Sequence, residues 1–145
     1  MSALTKPFET FERPGLVVSY RVSNVNIWKG ALVGVNASGF LVPMAHGTAG
    51  LKFVGVANES VSNSTGTAGS KSVNVTKSGS IVLGVAGFTP AQADIGKEVY
   101  ANTDNEVQVA VTGLTNQYKV GTIVSTELTS TGTSGVRVRI DNYSL

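Results

Sequence analysis

The chain has 145 residues, one histidine, no cysteine and a formal net charge of +2 from eleven basic and nine acidic side chains. That length suits one domain, the lack of cysteine excludes disulfides and thiolate metal sites, and the scattered basic residues form no patch or stripe of the kind nucleic-acid binding needs. No apolar run approaches the roughly eighteen residues of a membrane span, and the segment MSALTKPFETFERPG has no apolar centre of signal-peptide type, so residence in the cytoplasm or in a larger particle is expected.

Charged residues make up only 14% of the chain, against roughly a quarter in ordinary domains. Valine dominates the apolar fraction, and Gly, Thr, Ser and Asn are abundant. Valine and threonine fit a pleated, half-buried surface. Glycine and asparagine fit tight turns. The composition predicts an all-β domain over residues 16–145, preceded by an arm over residues 1–15.

The arm differs from the rest. Pro7 and Pro14 interrupt any helix or ladder, and Phe8 and Phe11 are spaced by polar residues. A frayed terminus is the plain reading. The sharper one is an arm that docks on a partner, since merely disordered tails are poor in aromatics. Beyond it, Val18, Tyr20 and Val22 alternate with Ser19 and Arg21, a period of two. Trp28, Lys29 and Gly30 make a corner, and residues 31–35 form the next strand. Residues 36–39 (NASG) turn the chain back toward Pro43, which marks a strand end. A strand over 52–57 follows a small loop. Residues 58–72 (NESVSNSTGTAGSKS) read as an exposed, mobile loop with few anchors. Strands over 73–76 and 80–85 flank a turn at Lys77, Ser78 and Gly79.

One helix signal stands out, over residues 89–95. Thr89 caps it, Pro90 takes its first position, Gln92 completes a capping-box spacing and Gly96 stops it. Strands over 98–101 and 106–111 then pair across an Asn-rich turn, with Val107, Val109 and Val111 on one face. A strand over 120–125 and a Thr/Ser/Gly turn over 129–135 lead to the last strand. There Val136, Val138 and Ile140 point inward, and Arg137, Arg139 and Asp141 point out. The expected architecture is a small barrel or sandwich of about nine or ten short strands with one short helix.

Few residues suggest chemistry. His46 lies in a Gly/Ala loop and reads as structural. No serine sits in a G-x-S-x-G elbow. GTAGSKS over 66–72 resembles a phosphate loop only superficially, because Ser70 replaces the required glycine before Lys71. Asp104, Glu106 and Glu98 read as solvated turn residues, and no calcium-loop pattern surrounds Asp94 or Asp104. Arg137 and Arg139 read first as a solvated face, with anion binding as the sharper alternative. Tyr20 and Trp28 are the candidates for a subunit interface, where aromatics are enriched. Trp28 reads equally as a core residue at a barrel corner. The sequence predicts no enzyme, no cofactor and no metal.

A short helix ending in Ile95 and Gly96, then KEVY over 97–100, a polar turn, a Val-rich strand and VGTIV over 120–124 resembles the small decoration (cement) proteins of tailed-phage capsids. VGVA over 54–57, VNV over 73–75 leading to Ile81, and the ending from Val136 to Ile140 are similar to the same family. The resemblance covers roughly residues 16–141. It implies a small β-barrel that stabilises a virion from the outer capsid surface, as a homotrimer bound to the major capsid protein, with neither nucleic acid nor membrane as partner. It also implies an N-terminal arm that reaches a neighbouring subunit. Leu4, Pro7, Phe8, Phe11, Arg13 and Pro14 are the arm residues expected to bind the capsid. Two other readings are a carbohydrate- or cell-surface-binding β-module and a tail or head–tail adaptor protein of a phage.

Overall fold

The computed structural model describes residues 16–141. The predicted arm, with Leu4, Pro7, Phe8, Phe11, Arg13 and Pro14, lies outside the described residues. The fold is all-β. Its strands are β1 (Val17–Arg21), β2 (Asn26–Ile27), β3 (Leu32–Val35), β4 (Leu41–Pro43), β5 (Lys52–Ala57), β6 (Val61–Ser62) and β7 (Ser72–Thr76). They continue as β8 (Ser78–Val85), β9 (Glu98–Ala101), β10 (Glu106–Gln108), β11 (Lys119–Leu128) and β12 (Ser134–Asp141). The number exceeds the expected nine or ten chiefly because β2 and β6 have two residues each, too few to show a period.

The first half forms an antiparallel sheet in the order β1-β7-β5-β3-β4. Its edge strands meet at one end, where Val22 bridges Leu41 and the Ser23 N–H donates to the Leu41 carbonyl at 3.0 Å. The sheet therefore curls around an apolar core that includes Val22, Ile27, Val33, Leu41, Val73 and Val75. The second half is a closed barrel in the order β10-β8-β12-β11-β9. Its β10–β8 pair is parallel, with Val107 opposite Val85, and its other pairs are antiparallel. The inward alternation of β12 is as read from the sequence: Val136, Val138 and Ile140 are buried, and Arg137 and Arg139 are exposed.

The two halves share a layer. Leu32, Met44, Leu51 and Val56 of the first half pack with Leu83, Val99 and Ile123 of the barrel. One strand serves both cores. On β5, Phe53 and Val56 face the barrel, while Val54 and Ala57 face the core of the first sheet. A regular strand cannot do this, because residues three apart point to opposite sides. The pairing of β3 with β5 slips between Val33 and Gly34, leaving Val54 as the extra residue of a bulge. Gly55 makes it feasible: a Cβ there would lie 2.1 Å from the Thr76 carbonyl oxygen.

Four expectations change. The predicted helix over 89–95 is a single 3-10 turn, Gln92–Asp94. Thr89 does not cap it. The Ala91 N–H donates instead to the Asp94 carboxylate at 2.9 Å. Continuation is cut off because the Gly96 N–H donates to Ile123 and the Ile123 N–H to Lys97, both along β11. Next, Lys77, Ser78 and Gly79 are not a turn. Lys77 alone separates β7 from β8, and Ser78 and Gly79 already pair with Asp141 and Ile140. Thirdly, the strand predicted to reach Val111 stops at Gln108, whose side-chain amide donates to the Ala110 and Thr112 carbonyls and folds the chain back.

The fourth correction concerns residues 58–72, which are not short of anchors. Asn63 is 2% exposed. Its amide donates to the Ser23 carbonyl at 2.9 Å and the Thr67 carbonyl at 3.1 Å, and its oxygen accepts from Ser70 Oγ at 3.0 Å. The loop wraps so closely that a Cβ on Gly66 would sit 2.1 Å from that oxygen. β6 pairs with β2 at the start of the same segment. Asn63→Ala strands several buried polar groups at once. It is expected to lower stability by about 2–4 kcal/mol in urea unfolding, with no loss of the β-sheet circular dichroism signal at neutral pH.

Candidate binding surface

The residues read as candidates for chemistry are used to build the molecule. His46 Nδ1 accepts from the Thr115 N–H at 3.2 Å, and its carbonyl accepts from the Asn116 N–H at 3.0 Å and side-chain amide at 2.7 Å. Tyr118 joins them by donating to the Thr48 carbonyl at 2.6 Å and accepting from the Leu51 N–H at 3.2 Å. Together these contacts clasp the β4–β5 loop to the segment that enters β11. The GTAGSKS segment is the loop that wraps Asn63, and Lys71 Nζ is occupied by the Ser62 carbonyl at 2.6 Å.

The carboxylates do not converge. Glu98 Oε1 pairs with Lys119 Nζ at 3.0 Å, and Asp94 Oδ1 with Lys97 Nζ at 2.9 Å. Asp104 contributes its backbone carbonyl to the Leu32 N–H at 2.7 Å. Among the described residues, no three His, Cys, Asp or Glu side chains come together in a group able to hold a metal ion. The bond from Lys97, followed by that from the Ala91 N–H, holds the Asp94 carboxyl below the usual carboxylate range. The bond from Lys119 does the same for Glu98.

The two aromatic interface candidates part company. Tyr20 is half-buried against the first core. Its hydroxyl accepts from Lys77 Nζ, and the same ammonium stands 5.0 Å from its ring centroid. Tyr20 thus solvates the nearly buried Lys77 (8% exposed). Trp28 is 68% exposed, so the reading of it as a core residue at a corner is overturned. It projects from the β2–β3 corner, where the Lys29 N–H donates to Ser60 Oγ at 2.8 Å.

A third feature was not legible in the sequence. β1 is an edge strand, paired with β7 only. The Val22 N–H donates to the Lys71 carbonyl on the β7 side. Alternation therefore turns the N–H and C=O groups of Val17 and Ser19 to the open edge, which closes against Leu41 beyond them. Leu16 and Val17, at the head of that edge, are 65% and 47% exposed. Only the strand order could have revealed this. Comparison with known proteins finds no matching family model, no similar curated protein and no similar solved structure.

The two lowered carboxyls fix a pH dependence. Each binds its proton less readily when folded than when unfolded. The stability they contribute is complete above the ordinary carboxylate pKa of about 4 and is lost as pH falls through the lowered folded values. Urea midpoints measured from pH 7 downward are expected to drop below about pH 4. In Asp94→Asn that acid-side slope becomes shallower, because the group that titrates between the two states is gone.

Proposed function

We propose that this chain is a non-catalytic structural protein that binds the outside of a phage head, bridging neighbouring major capsid proteins as a homotrimer. The sequence resemblance over residues 16–141 motivates the reading, and the all-β architecture is compatible with it. The observation that carries it is the open edge of β1. It starts directly after the 1–15 arm, with two exposed apolar side chains at its head. An unpaired edge is a template for another strand, and strand addition supplies affinity through main-chain bonds without a concave pocket. A carbohydrate-binding module is less well supported, because Trp28 is the one strongly exposed aromatic among the described residues.

Electron microscopy of phage heads incubated with the purified protein tests the reading. Added density is expected on the outer surface at three-fold or quasi-three-fold positions. Density confined to five-fold axes or to the interior would refute it. Removal of residues 2–13 is expected to leave the melting temperature nearly unchanged and to reduce head binding strongly. Full affinity in the truncated chain would exclude a role for the arm.

A further inference from the structure

We infer that the open edge of β1 in one copy of the chain pairs with an open edge of β8 in the next, so that copies join head to tail through one continuous sheet. This rests on the self-association proposed above and names the contact that makes it. β8 pairs with β12 from Ser78 to Gly84, but with β10 only at Gly84 and Val85. The Gly84 and Ala86 N–H groups donate to the Asn105 and Val107 carbonyls on the β10 side. Alternation turns the N–H and C=O groups of Ser78, Ser80 and Val82 the same way, where no strand pairs with them among the described residues. Ser80 and Val82 are exposed and Ser78 is half-buried.

β1 offers the matching edge through Val17 and Ser19. It joins the β7–β8 ribbon through odd-numbered residues, as the bond from the Lys77 N–H to the Leu16 carbonyl at 2.9 Å shows. The open groups of β8 belong to even-numbered residues. The two edges therefore face opposite ways, and a chain cannot satisfy one with the other. A second copy can. Two different edges on one chain make a heterologous contact, which generates rings or filaments and not two-fold dimers.

Neither edge carries the devices that isolate exposed strands. Edges are commonly blunted by charge, proline or a bulge. The segments 17–19 and 78–82 contain no charged residue and no proline, and the β8–β12 register runs without a slip. Other edges are guarded. β4 ends in Pro43 and is bridged by Val22, and Pro90 lines a groove with Thr126 and Leu128 beside the far half of β11.

One antiparallel register sets like against like. With Val17 opposite Val82 and Ser19 opposite Ser80, both members of each pair turn their N–H and C=O groups to the contact and exchange two hydrogen bonds. All four side chains lie on exposed faces. Val17, 47% exposed, then covers Val82, 40% exposed, and Leu16, 65% exposed, comes opposite Leu83 on the other face. A slide of two residues toward Ser78 sets Val17 against Ser80. The opposite slide meets β10, which already pairs with Gly84. The 15 residues that precede Leu16 join β1 at this same end, beside an open groove of about 460 Å³ that Val82, Gly84, Gly30 and Asn105 help to line. The attachment point of the arm thus lies at the contact, which leaves the arm itself for the capsid.

The chain has no cysteine, so disulfide trapping reads the contact directly. Hydrogen-bonded antiparallel pairs have Cα atoms about 5.5 Å apart, within disulfide reach. V17C and V82C chains, oxidised together at high concentration, should give a mixed disulfide dimer, and each chain alone should give none. V17C with S78C, about 14 Å apart in this register, should stay uncoupled. In the unsubstituted chain, hydrogen exchange of the Val17, Ser19, Ser80 and Val82 amides should slow at least about tenfold as the chain is concentrated. Exchange that does not change with concentration overturns the inference. So does V17C pairing with itself in place of V82C, or coupling to S78C in preference to V82C. If the contact forms but heads are not decorated, the contact stands and the capsid reading falls. If heads are decorated and the contact does not form, the reverse holds.

Discussion

The fold depends on one strand having no solvent face. From Val54 to Ala57, β5 is buried on both sides, and its bulge allots successive side chains to two different cores. Each apolar side chain fully buried in this layer is worth about 1.5–3 kcal/mol. The bulge lets a six-residue strand contribute to both sums. Its geometry leaves no room for a side chain at position 55, so the glycine is fixed by backbone contact with Thr76. Neither half is covered without the other: Leu32, Met44, Leu51 and Val56 need the barrel, and the barrel needs them.

Polar contacts reinforce the layer at two places. At one, Lys77 joins β7 to β8, and the Tyr20 hydroxyl and ring receive its ammonium. A nearly buried cation is costly without such partners. At the other, His46, Asn116 and Tyr118 lock the β4–β5 loop onto the barrel side. Both use side chains that looked like candidates for function in the sequence. Their work is to hold two sheets in fixed relation, and that leaves the β1 edge as a surface open to a partner.

Much of this was legible from period alone. The alternation of Val136, Val138 and Ile140 with two arginines gave β12 its buried and exposed faces correctly, because one side of the strand meets the core throughout. The NASG turn was equally plain: Asn36 Oδ1 accepts from the Ser38 and Phe40 N–H groups, at 3.0 and 3.1 Å. What stayed hidden depended on partners distant in sequence. Asn63 reads as one more polar loop residue, and its burial follows from carbonyls of the chain forty residues earlier. The helix signal at Thr89 and Pro90 was a sound local pattern, but β11 competed for the backbone at Gly96 and Lys97 and won. The division into a curled sheet and a closed barrel was also hidden. Composition and strand spacing look alike in both, and the bulge that lets them share β5 is marked only by one glycine among many.

The single residue between β7 and β8 also sets an order for synthesis. Every strand of the first sheet lies before residue 77, and every strand of the barrel lies after it. A ribosome therefore delivers one complete sheet before it begins the other. β1 must wait for β7, the last strand of that first block, because it pairs with nothing else. Until the barrel emerges, the apolar patch around Leu32, Met44 and Val56 has no cover, and nascent chains on neighbouring ribosomes offer it the wrong partners. The architecture that gives the finished protein a shared core also gives its unfinished form a period of exposure, which ends only when Ile140 has been added and β12 can close the barrel.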